Sequence, residues 1–164
     1  MVWAYFIGDK LGPIIFVDSS IMKEVYISIL ADSLLPFIDV LHADGLANIV
    51  FQQDNATPHS SLVTRKWLED EGGKHEFSIM QWPPNSPDLN PIEHLWSHLK
   101  RELHRQYPDT WQLTGSPDTI RRILKERIYK IWWDIRLVVL KRLIESMRHR
   151  VHAVLDAKGN VTAY

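Results

Sequence analysis

Four prolines within nine residues, Pro83, Pro84, Pro87 and Pro91, constrain this chain more than any other feature. Each fixes its own φ and withholds a backbone N–H, so the stretch reads as a rigid loop. It ends at a helix start: Asn90 stands at the N-cap position, Pro91 at the first helical position and Glu93 three residues after the cap. Leu95, Trp96, Leu99 and Leu103 then recur at helical spacing. The loop therefore delivers one carboxylate to the mouth of an amphipathic helix. Two readings of Glu93 stand at this point, a capping box reaching back to its own helix start and a site group.

The elements before the loop alternate strand and helix. Residues 2–7 and 14–17 are β-prone and flank the turn-rich Gly8-Asp9-Lys10-Leu11-Gly12-Pro13, which predicts a hairpin closed by Asp18-Ser19-Ser20. Val25, Tyr26, Ile29, Leu30, Leu34, Phe37, Ile38 and Leu41 mark the buried face of a helix that Pro36 should bend or interrupt. Ile49-Val50-Phe51 reads as a buried strand with Asp54 at its carboxyl end, where α/β folds keep ligands. Ser60 or Ser61 can cap a helix that Gly72-Gly73 should end, and residues 77–82 alternate as a further strand.

After the loop the chain is helical. The helix from Asn90 should reach about Gln106, where Pro108 stops it. Residues 111–117 read as a loop, and Ser116 or Asp118 caps a helix whose stripe includes Ile120, Ile128, Ile131 and Trp132. A final helix runs from Leu137 through Leu155 and ends at Gly159-Asn160. Strands first and helices last make an α/β domain with helical additions.

Composition narrows the chemistry. There is no cysteine, which removes disulfides and thiolate metal sites. No apolar run reaches the length of a membrane span, and no basic-then-apolar leader opens the chain, so a soluble intracellular protein is expected. The net charge of −1 conceals an asymmetry: residues 100–150 hold 13 basic and 6 acidic side chains, net +7, leaving −8 elsewhere. Such a basic helical region suits a polyanion held near carboxylates, and equally suits solvated helix faces.

Asp54 and Glu93 are two carboxylates that each follow a predicted strand. Were those strands neighbours, both side chains could converge on a hard cation, Mg²⁺ or Mn²⁺. Such a site activates water or a 3′-hydroxyl and stabilises the leaving oxygen of a phosphodiester. The eight histidines form no zinc-like group. His94 and His98 lie four apart, but no Glu follows His94 as HExxH requires.

Two blocks carry a resemblance. Phe51-Gln52-Gln53-Asp54-Asn55-Ala56 with His59, and Trp82-Pro83-Pro84-Asn85-Ser86-Pro87-Asp88-Leu89-Asn90-Pro91-Ile92-Glu93-His94-Leu95-Trp96, resemble the signature blocks of Tc1/mariner transposases. Residues 145–160 resemble that family's ending, and Val2-Trp3 and Gly12-Pro13-Ile14 its early hairpin. The resemblance implies a ribonuclease H-like mixed sheet with flanking helices and a helical C-terminal extension: a core over 1–107 and C-terminal helices over 108–164. It implies metal-assisted DNA strand cleavage and transfer at transposon ends. Asp54 becomes the second and Glu93 the third acid of a DDE/D triad, both metal ligands for Mg²⁺ or Mn²⁺. Asn55, His59, Asp88 and Asn90 become neighbours of the site, with Asn55 and His59 orienting carboxylates or touching DNA. A nuclear location follows for a eukaryotic source.

The match has two departures. Thirty-eight residues separate Asp54 from Glu93, a few more than the family pattern, and residues 69–74 could hold the surplus in a helix-to-strand loop. The family's first catalytic Asp lies on a central strand before the hairpin, and neither Asp9 nor Asp18 matches it. The family's helix-turn-helix region is also unmatched. The expectation is a truncated catalytic domain lacking the first central strand and inactive alone. It must pair the exposed edges directly, take a strand from another copy or a complementing chain, or fold poorly. The alternative is a non-catalytic nucleic-acid-binding or assembly module built on the basic helices.

Overall fold

A computed structural model describes residues 1–18, 20–84, 86–160 and 162. Ser19 of the hairpin closure and Asn85 of the proline block lie outside the described residues. The chain divides into two compact units, Val17–Ser86 with Met1, and Val2–Phe16 with Pro87–Tyr164.

The first unit opens with α1 (Lys23–Ile29), a π-helical turn (Leu30–Leu34) and α2 (Leu35–Ala43). Pro36 has no N–H to give the carbonyl of Asp32, and the expected interruption takes the form of this wider turn immediately before it. The combined stretch Lys23–Ala43 is long and apolar enough to cross a membrane by length and composition alone. This corrects the sequence reading, which found no apolar run of that length. One face of the stretch is already committed to protein: Tyr26, Ile29, Leu30, Leu34, Leu35, Ile38 and Leu41 are buried.

β5 (Ile49–Phe51) pairs in parallel with β6 (Phe77–Ile79), in the register Ile49↔Phe77, Val50↔Ser78 and Phe51↔Ile79. Between them lie a single turn, α3 (Thr57–Ser60), and α4 (Leu62–Lys74). Ser61 caps α4, its Oγ accepting the Thr64 N–H at 3.1 Å. The glycine pair does not end α4. A Cβ on Gly72 would lie 2.8 Å from the Phe77 carbonyl oxygen, so the glycine permits close approach of helix and strand. The left-handed residue that turns the chain is Glu76, at φ 54°. Residues 69–74 are accordingly helix, and the surplus length is not in a loop.

The second unit carries the hairpin as two short antiparallel ladders. β1 (Val2–Trp3) pairs with β4 (Ile15–Phe16), and β2 (Phe6–Ile7) with β3 (Lys10–Leu11). A 3₁₀ turn (Pro87–Leu89) leads into α5 (Pro91–Gln106), a second 3₁₀ turn covers Pro108–Gln112, and α6 (Pro117–Trp133) and α7 (Leu137–Asp156) follow. Of the two candidate caps of α6, Ser116 accepts the Thr119 N–H at 3.2 Å. The core of this unit joins Ala4 and Ile14 of the hairpin to Leu95, Leu99, Leu103, Ile131, Trp132, Ile135 and Leu140. Trp132 is fully buried, stacks on Trp96 at 5.5 Å and donates its indole N–H to the Gly12 carbonyl at 2.9 Å. Gly12 has to be glycine, because a Cβ there would run into the Tyr5 ring. Trp133 points away and is exposed, as its place beside Trp132 predicts.

Candidate active site

Asp54, Asn55 and His59 lie in the first unit, and Asp88, Asn90 and Glu93 in the second. Each set has its own local geometry.

Asp54 follows β5 after Gln52 and Gln53. Its Oδ1 accepts two hydrogen bonds, from the Ala56 N–H at 3.0 Å and from His59 Nδ1 at 2.7 Å. The first is an Asx turn, the ordinary consequence of an Asp two residues before a chain reversal. The second arises because α3 brings residue 59 back over residue 54. Oδ2 takes no bond among the described residues, and the side chain is 45% exposed. One oxygen is fixed and the other faces out.

His59 is itself held. Its ring stacks on Tyr26 at a centroid distance of 4.1 Å and an interplanar angle of 29°. Tyr26 is buried, and its hydroxyl donates to Gln53 Oε1 at 2.6 Å, while Gln53 Nε2 donates to the His59 carbonyl at 3.3 Å. Tyr26 was placed by periodicity on the buried face of α1. Its part in orienting the Asp54 partner is invisible to periodicity. Asn55 turns elsewhere, donating from Nδ2 to the Trp82 carbonyl at 3.0 Å, and so ties the strand-end loop to the start of the proline-rich stretch.

In the second unit Asn90 is the N-cap of α5, with Pro91 at the first helical position as predicted. The capping box does not form. The Asn90 side chain makes no cap hydrogen bond, and the Glu93 carboxylate is exposed with no hydrogen bond or ion pair among the described residues. Glu93 is engaged through its backbone: its N–H donates to the Asn90 carbonyl at 3.1 Å, and its carbonyl accepts the Ser97 hydroxyl at 3.1 Å. An unpaired carboxylate in a first helical turn sits at the favourable end of the helix dipole and keeps its oxygens available. Asp88 is the opposite case. Its Oδ1 accepts the Leu89 N–H at 3.1 Å, its Oδ2 accepts the Thr162 hydroxyl at 2.9 Å and its carbonyl accepts Arg150 Nη1 at 3.0 Å.

Two histidines flank this helix face. Burial pushes His94 below the usual imidazole range, with the Arg150 and Arg101 cations adding to the shift. Burial does the same to His98, against the opposing charge of Glu102.

Taken singly, Asp54 and Glu93 each offer the hard oxygen donor that a divalent cation such as Mg²⁺ takes. Among the described residues Asp54 keeps Oδ2 without a protein partner and Glu93 keeps both carboxylate oxygens, and Mg²⁺ is ordinarily held by one or two carboxylates plus water and substrate phosphate. No group of three or more His, Asp or Glu side chains that could hold a metal occurs among the described residues.

The DDE superfamily endonuclease family matches residues 15–114. The Tc1 transposase of Caenorhabditis elegans is 33% identical over 168 residues, covering all of this chain and 54% of that protein. The chain thus spans about half the length of the curated relatives it matches. Two solved structures share the fold. The Mos1 transposase catalytic domain with raltegravir and Mg superposes with a TM-score of 0.75 at 16% identity, covering 98% of this chain and 75% of that one. The Mos1 mariner paired end complex with Mn gives a TM-score of 0.75 at 17% identity, covering 96% and 43%. The mixed α/β architecture is accordingly ribonuclease H-like, and the chain belongs to the DDE superfamily endonucleases, among the Tc1/mariner-type transposases.

Proposed function

We propose that this chain supplies two of the three carboxylates of a DDE-type centre that cleaves and joins DNA strands at transposon ends. Asp54 and Glu93 are the two. The observation that carries the proposal is the Asp54 carboxylate, with Oδ1 clamped by His59 and Ala56 and Oδ2 left open. Open carboxylate oxygens beside fixed ones are what a ligand to a hard cation requires. The cation, Mg²⁺ or Mn²⁺ by analogy with the Mos1 structures, supplies Lewis-acid stabilisation of developing phosphodiester charge and a more acidic attacking hydroxyl.

The protein's own contribution is positional. His59 and the Asx turn hold Asp54 in one rotamer, so no ordering cost falls on ligand binding. Glu93 is carried by a helix whose first turn is preset by Pro91. DNA is the proposed polyanionic partner, and the exposed Arg136, Arg142 and Arg148 of the α7 region, which form no ion pair among the described residues, are suited to its phosphates. These same cations favour, as a second reading, a module that binds nucleic acid without cutting it.

We further propose that residues 1–164 alone do not turn over, because the triad's first Asp has no counterpart among them. It would come from adjoining sequence, from a second copy or from a complementing chain. The test is nicking of supercoiled plasmid by the purified chain in Mg²⁺ or Mn²⁺. No nicking is expected from the chain alone, with activity appearing once an Asp-bearing strand is joined in frame. Robust nicking by the chain alone, abolished by Glu93→Gln, would overturn the claim of inactivity.

A further inference from the structure

We infer that Arg150 is a positioning residue for Glu93, acting through the turn from which α5 starts. The inference rests on the reading of Glu93 as a metal-holding carboxylate and adds what fixes it. Arg150 sits near the end of α7 and is only 3% exposed, whereas Arg142 and Arg148 on the same helix are exposed. A permanent cation is costly to bury unless its donors are satisfied and its geometry is good. Its Nε donates to Ser146 Oγ at 2.8 Å, one helical turn back, which aims the guanidinium, and Nη1 then donates to the Asp88 carbonyl at 3.0 Å.

Asp88 is the middle residue of the 3₁₀ turn (Pro87–Leu89) and is held at three points. Arg150 takes its carbonyl, Thr162 its Oδ2 and the Leu89 N–H its Oδ1. The path to Glu93 is short. The Asn90 N–H closes the turn on the Pro87 carbonyl at 3.0 Å, and the Asn90 carbonyl accepts the Glu93 N–H at 3.1 Å. Asn90 contributes no side-chain cap, so the start of α5 is not fixed by the local device its sequence suggests. The clamp from α7 takes that role. Arginine suits it because one planar group can bond the side chain of its own helix and a distant carbonyl together. Asp88 serves as the keystone of this clamp, with its carbonyl and both carboxylate oxygens engaged.

The test uses the full chain with Arg150→Met, which keeps an unbranched stem and removes every donor, together with Arg150→Lys and Thr162→Val. Two quantities are read: native-state amide exchange along α5, and Mn²⁺ affinity by titration with Mn²⁺ alone. Arg150→Met is expected to speed exchange at Asn90 and Glu93 about tenfold relative to Leu99 and Leu103, and to weaken Mn²⁺ binding roughly tenfold, the scale of outer-shell losses. Thr162→Val should act in the same direction by a smaller factor, and Arg150→Lys should recover part of the loss. Protection that falls evenly along α5 with Mn²⁺ affinity unchanged would overturn the inference and leave Arg150 a packing residue. If Arg150→Met does not fold, Thr162→Val decides, and unchanged exchange at Asn90 and Glu93 in that variant overturns the inference. If Glu93→Gln leaves Mn²⁺ affinity intact while Arg150→Met still loosens Asn90 and Glu93, the metal reading of Glu93 has failed and the clamp on its turn stands.

Discussion

Replacing His59 by alanine separates the structural part of the Asp54 arrangement from its functional part. The substitution removes the 2.7 Å bond to Asp54 Oδ1 and the stack on Tyr26, and leaves the Ala56 N–H as the remaining donor to that oxygen among the described residues. The Asp54 side chain is 45% exposed, so the lost hydrogen bond is worth about 1 kcal/mol and not the larger value of a buried charged pair. The aromatic contact adds about 1 kcal/mol. A total near 2 kcal/mol is a fraction of the roughly 5–15 kcal/mol that holds a domain together, so the variant folds. The functional loss is of similar size, because Asp54 gives up one of its two restraints. Mn²⁺ affinity should fall about tenfold, which is about 1.4 kcal/mol. Urea unfolding reads the first quantity and calorimetric Mn²⁺ titration the second. His59→Gln serves as the discriminating partner. It keeps an N–H donor and loses the ring, so it should recover Mn²⁺ affinity more than stability. Equal Mn²⁺ affinity for wild type and His59→Ala, within twofold, would refute the orienting role.

Two further outcomes follow from other parts of the molecule. Trp132→Phe leaves the buried Gly12 carbonyl without its indole donor and a gap beside Trp96, and should cost about 2–4 kcal/mol in urea unfolding; a loss below about 0.5 kcal/mol would show that the hairpin is not tethered there. DNA affinity should fall steeply with salt, survive Asp54→Asn and Glu93→Gln, and lose about one unit of salt slope for each phosphate-contacting residue among Arg136, Arg142 and Arg148 reversed to Glu; affinity indifferent to salt would remove the polyanion reading.

Where the sequence reading held, the deciding interactions were local. Pro91 and Asn90 placed the start of α5, Pro36 placed the interruption between α1 and α2, and Ser61 and Ser116 were among the candidate caps. Where it failed, a partner elsewhere in the chain decided. Residues 77–82 alternate well enough for a strand, yet β6 stops at Ile79 because its partner β5 offers three residues, and only the Met80 N–H reaches one step further, to the Phe51 carbonyl. Gly72 carries the residue type that ordinarily ends a helix. It is glycine for the approach of Phe77, a contact that no helix rule contains.

The candidate site divides along the same line. His59 lies five residues from Asp54, and one helical turn suffices to bring them together, so a compact motif can encode that half. The clamp on the Glu93 turn spans 62 residues to Arg150 and 74 to Thr162. Counted by charge, Arg150 is one of the thirteen basic residues of 100–150 and gives no sign of being buried. A motif block can therefore mark which carboxylate matters while the groups that hold it lie outside the block. In this chain the prolines of residues 83–91 limit what the loop can do, and α7 selects the one form in which Glu93 stands at a fixed helix start.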